Sequence, residues 1–131
     1  MFRRILLLII FLSWPPQVTE NTCVLHLESP KYSRLARFAR AQGDVPVEVR
    51  ISRDGRVVSA TALSGLPILQ DAAVTNVRKW VFSSGAERTL QILYQFKLQG
   101  AAADFDIPEI SYDLPNKILI VASPPPPNLG E

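Results

Sequence analysis

The spacing of hydrophobic and polar positions changes several times along the chain, and each change marks an element. Over DVPVEVRIS, Val45, Val47, Val49 and Ile51 alternate with Pro46, Glu48, Arg50 and Ser52, the period of two that a half-buried strand requires. Asp54-Gly55 follows, and glycine tolerates the positive φ of a tight hairpin turn. The return strand spans Arg56 to Leu63, with Val58, Ala60 and Ala62 on one face, small enough to let a helix approach closely. Pro46 has no N–H to give a ladder, so it is expected near a strand start or beside an unpaired stretch. A second alternation sets Leu90, Ile92, Tyr94, Phe96 and Leu98 against Gln91, Leu93, Gln95 and Lys97. It predicts a long third strand whose mild polar face suits a sheet edge.

Two other stretches follow the helical period. Ser29-Pro30 reads as an N-cap with proline in the first turn, and Gly43 as the residue that ends the first helix. Tyr32, Leu35, Ala36 and Ala39 form its apolar stripe. Lys31, Arg34, Arg37 and Arg40 recur at steps of three and read as a solvated basic face; the sharper alternative is a docking face for an acidic partner or for anionic lipid headgroups. Pro67 opens a second helix running to Trp80 or Phe82, with Leu69, Ala72, Ala73, Val77 and Trp80 on one stripe. Arg78 and Lys79 fall off that stripe, where cations suit the helix C-terminus. Trp80 therefore points inward. The expected core includes Leu35, Val47, Val49, Leu69, Val77, Trp80 and Phe82. Further on, Ile118 to Val121 is a short apolar run that supplies a fourth strand if it joins the sheet, and Pro124 to Pro127 stop it.

The order of elements predicts an α+β domain: two helices packed on one face of a small antiparallel sheet of three strands, or four with the tail. Residues 1–22 read as a signal peptide or N-terminal anchor, 23–100 as the folded domain, and 101–131 as an acidic, proline-rich tail. The N-terminal reading rests on MFRR followed by the apolar ILLLIIFLSW, a run short of the roughly 20 residues of a spanning helix. Export with cleavage is expected, and a retained membrane anchor is the alternative. Membrane contact is then expected only through this segment if it stays uncleaved.

Composition narrows function mainly by exclusion. A chain of 131 residues, 47% hydrophobic with a net charge of +2, suits one globular domain with no global attraction to a polyanion. The aromatic residues fall on core positions, so nucleic-acid binding is not expected. Cys23 is the lone cysteine, which leaves no internal disulfide and no thiolate metal cluster; it reads as buried or incidental. His26 is the lone histidine and reads as structural or solvent-facing. Ser64-Gly65 lacks the flanking glycine of a nucleophile elbow, and the scattered glycines make no phosphate loop. Asp104, Asp106, Glu109 and Asp113 offer oxygen ligands for calcium, but their spacing fits no ion-binding loop and reads as a solvated linker. No enzyme, cofactor or metal is expected. What remains is a binding or a structural module.

The pieces SPKYSRLARFARAQGDVPVEV, ISRDGRVVSATALSG, LPILQDAAVTNVRKWVF and TLQILYQFKL occur in an order and spacing that resembles the TonB C-terminal domain family, the periplasmic module of bacterial energy transducers. The resemblance covers Ser29 to Leu98. It implies two helices against a three-stranded antiparallel sheet, and no catalysis. It further implies capture of a short peptide from an outer-membrane transporter as an added strand at the sheet edge, where unpaired backbone groups supply the affinity. The implied edge comprises Leu90, Gln91, Ile92, Leu93, Tyr94, Gln95 and Phe96. Ser29, Pro30, Lys31, Tyr32 and Ser33 correspond to the family's Gln-Pro-x-Tyr-Pro segment, which also meets the transporter. Serines replace its first and last residues, Val81 stands where a basic residue is usual, and Ser84 stands where a proline is. The apolar run lacks the transducers' membrane histidine. Only about 15 residues separate it from the first helix, a reach of roughly 50 Å when extended, so a self-sufficient periplasm-spanning transducer is not expected. The expected partner is an envelope protein or transporter peptide. As the alternative, the edge is filled by the chain's own C-terminal strand or by a swapped homodimer, in an assembly role.

Overall fold

The computed structural model describes residues 22–103 and 108–127. The N-terminal apolar run, Asp104 and Asp106 lie outside the described residues. Among the described residues nine elements follow in order: β1 (Val24–His26), α1 (Arg34–Phe38), β2 (Gly43–Ile51), β3 (Val57–Ala62), α2 (Pro67–Val77), β4 (Val81–Phe82), β5 (Arg88–Leu98), β6 (Glu109–Asp113) and β7 (Lys117–Ala122). Five strands form one sheet in the order β3-β2-β5-β7-β6, and β1 pairs with β4 in a small separate one. The α+β class and both main alternations hold.

Register explains the core. Val45 faces Tyr94, Val47 faces Ile92, and Tyr94 and Phe96 face Ile118 and Ile120, so the inward positions of three strands merge into one apolar surface. These side chains are buried, and α2 lies over them with Leu69, Ala73 and Val77, joined by Trp80 just past its end. Trp80 is tilted against Phe82 and Tyr94 at centroid distances of 5.9 and 6.5 Å. Arg78 and Lys79 are exposed. The Pro46 carbonyl accepts from Leu63 N–H at 2.8 Å, just beyond the last β2–β3 pair at Val47–Ala62. Its missing donor therefore falls where β3 has ended.

Several expectations are corrected. The first helix is capped by Ser33, not Ser29: the Ser33 hydroxyl accepts from Ala36 N–H at 3.0 Å. Buried Tyr32 packs edge-on against Phe96 at 5.3 Å, which pins the chain before helix formation begins. The helix ends at Phe38 because Arg40 adopts φ 57°, while Gly43 opens β2. Its inward residues are Ala36 and Arg37, so Leu35 is not core but 69% exposed, and Arg37 does not belong to the solvated basic face. In β3 the register slips between Arg50 and Ile51. This bulge puts Val57 toward the core and leaves Val58 exposed. The second helix stops at Val77, and Phe82, fully buried, belongs to β4. Cys23 is exposed, and His26 faces solvent with its Nε2 at 2.9 Å from Glu28 Oε2.

The tail departs most. It contributes two strands, and β7 runs parallel to β5, so the sheet is mixed and five-stranded. A parallel partner needs a long crossover, supplied here by the stretch from Gln99 that includes β6, itself antiparallel to β7.

Candidate partner-binding site

β5 is long because Arg88 to Leu98 alternate without a proline or glycine, and β2 pairs along it from Ile51–Arg88 to Gly43–Phe96. Ile92, Tyr94 and Phe96 are buried, Leu90 is half-buried, and Gln91, Leu93 and Gln95 face the side opposite the helices. The seven residues expected at an edge do lie together on one strand. From Leu93 onward that strand is not an edge, while the register with β7 does not reach Leu90, Gln91 or Ile92. From Leu93 to Leu98 its second side is paired with β7 from Lys117 to Ala122, and the ladder continues at both ends through Leu93 N–H to Asn116 O at 2.7 Å and Gln99 N–H to Ala122 O at 2.9 Å. The true edges are β3 and β6.

Arg37 holds this arrangement. Only 4% exposed, its Nε donates to Ser123 O at 2.8 Å, and its Nη2 donates to Ala103 O and to Pro124 O. Ala103 N–H also donates to Pro124 O at 3.0 Å. A buried guanidinium is tolerated only when its donors are satisfied, and here carbonyls just beyond β5 and β7 satisfy them. Nothing in the sequence distinguished Arg37 from its basic neighbours. Its partners lie 66 to 87 positions further along the chain, where no local pattern reaches.

The Ser29–Ser33 segment leads into α1 and ends on its cap, Ser33. Pro30 is buried, Ser29 and Lys31 are exposed, and the Tyr32 hydroxyl donates to Ala41 O at 2.5 Å. Burial pushes the Tyr32 phenol up to about 12, an effect partly offset by the Arg37 charge. Behind β5, the Asn76 Oδ1 accepts from Tyr94 O–H at 2.7 Å and Trp80 Nε1–H at 3.1 Å, while its Nδ2 donates to Glu28 O at 2.8 Å. Burial raises the Tyr94 phenol as well. These groups are structural, and no cluster able to hold a metal occurs among the described residues.

The profile of the family described as Gram-negative bacterial TonB protein C-terminal matches residues 28–99, more than half of the chain. The chain belongs to the TonB C-terminal family. A curated relative, protein TonB of Klebsiella aerogenes, is 33% identical over 78 residues, which are 57% of this chain and 32% of that protein. The chain thus matches about a third of that relative's length. A solution NMR structure of Pseudomonas aeruginosa TonB CTD aligns with TM-score 0.51 and 27% identity, over 60% of this chain and 88% of that one. The TonB match ends at residue 99, before β6 and β7. The strand closing β5 therefore lies outside the matched TonB region.

Proposed function

We propose that this protein is a non-catalytic, protein-binding TonB-type module of the bacterial envelope. It captures a transporter peptide by strand addition beside β5, at a position its own β7 occupies at rest. The observation carrying this reading is the pairing of Leu93–Leu98 with Lys117–Ala122: the β5 flank accepts a strand that comes from beyond the matched region. Backbone pairing makes few side-chain demands, so an envelope peptide with apolar residues at alternate positions can use the same ladder. No described helix is long and apolar enough to cross a membrane; attachment through the N-terminal run, and the periplasmic location, belong to the same proposal.

The second reading rests on the same pairing. If β7 never leaves, the domain is an assembly or stability element whose acceptor position is permanently filled. Titration with synthetic peptides from outer-membrane transporters separates the two. A chain ending at Gly100 and a full-length Arg37→Ala variant are both expected to bind more tightly than the native chain. No gain in either, with both shown folded by circular dichroism, would leave the assembly reading standing.

A further inference from the structure

We propose that the outer face of α1 docks on the surface of an anionic phospholipid bilayer. Ala36 and Arg37 point inward, and helical phase places Arg34, Leu35 and Phe38 together on the opposite side. Leu35 is 69% exposed and Phe38 42%, two large apolar side chains one turn apart. The Arg34 guanidinium lies over the Phe38 ring at 4.9 Å, and exposed Lys31 and Arg40 flank the helix. From Ser29 to Gly43 the chain has no acidic residue. Apolar tips within a basic rim are the chemistry of an interfacial segment, which inserts side chains at the headgroup level while its cations meet lipid phosphates. An acidic protein face would pair with the cations but would give exposed Leu35 and Phe38 no apolar medium to enter, which a bilayer supplies.

A second observation supports this independently. Arg40 sits at φ 57°, where it ends α1 and where glycine is the least strained choice. The chain carries a cation there, exposed beside Leu35 and Phe38.

The test is flotation of the chain from Thr22 onward, which carries every described element and omits the apolar N-terminal run that would itself enter a bilayer, with vesicles of equimolar phosphatidylglycerol and phosphatidylcholine, against phosphatidylcholine alone. Binding is expected to the anionic vesicles only and to fall with salt. Leu35→Ser with Phe38→Ser is expected to reduce it at least tenfold; both sites are exposed, so folding is retained. Arg40→Gly is expected to weaken binding several-fold while holding or raising the midpoint of denaturant unfolding, which separates a lost contact from a lost fold. A Leu35→Trp variant is expected to shift its emission to the blue on anionic vesicles. The proposal is overturned if the native chain fails to float. It is equally overturned if the serine double variant binds as the native chain does, since charge alone, as for an acidic protein, then explains the attraction.

Discussion

At the scale of single residues, Asn76 does most to make the interior specific. One side chain joins α2 to Trp80, to β5 through Tyr94, and to the segment before α1 through Glu28. Replacing it with alanine leaves an indole N–H and a phenol O–H buried without their acceptor. Asn76→Ala is therefore expected to destabilise by about 2–4 kcal/mol in urea unfolding, and Tyr94→Phe by only about 1 kcal/mol, because it removes donor and hydroxyl together. Gly55 is the other sensitive position. At φ +87°, a Cβ would lie 1.9 Å from Phe82 O, whose own N–H donates to Gly55 O at 2.8 Å. Gly55→Ala is expected to cost about 3 kcal/mol or more, read as a fall in the same midpoint.

At the scale of elements, the sequence was most legible where one face of a strand is buried. Val45, Val47, Val49 and Ile51 have to share a face, and so do Ile92, Tyr94 and Phe96, because a slip of one residue would turn all of them to water. It was least legible where the outcome depends on residues far apart in the chain. Leu35 looked like core by spacing, but five helical residues do not fix a phase, and the packing of Tyr32 on Phe96 decides it. Leu90 to Phe96 read as an edge because nothing local says that Ile118 and Ile120 lie beside Tyr94 and Phe96, nor in which direction. Arg37 belongs to the same class, since its partners are 66 to 87 positions away. Its removal should free the end of β7 first. In the Arg37→Ala variant, amide hydrogen exchange is expected to quicken at Ile118–Ala122 and to stay slow across the β2–β5 pair.

At the scale of the whole molecule, two buried phenols tie stability to alkaline pH. Tyr32 titrates at about 12 when folded against 10.0 as a free side chain, and the Tyr94 phenol is raised too. Between these values the unfolded chain loses protons that the folded one keeps, so the contribution is complete below pH 10 and is lost as pH rises through 12. The melting temperature is expected to fall over that interval, with a shallower fall in Tyr32→Phe. The tethering of β7 has a separate consequence, for concentration. On the strand-addition proposal, the resident strand, being part of the same chain, competes at an effective concentration of the order of millimolar, however dilute the protein. If it is seated about 99% of the time, a free peptide would bind about a hundredfold more weakly than to an open β5. Such a domain would ignore stray peptide and respond to a partner already held beside it, so that proximity would set its selectivity as much as peptide sequence does.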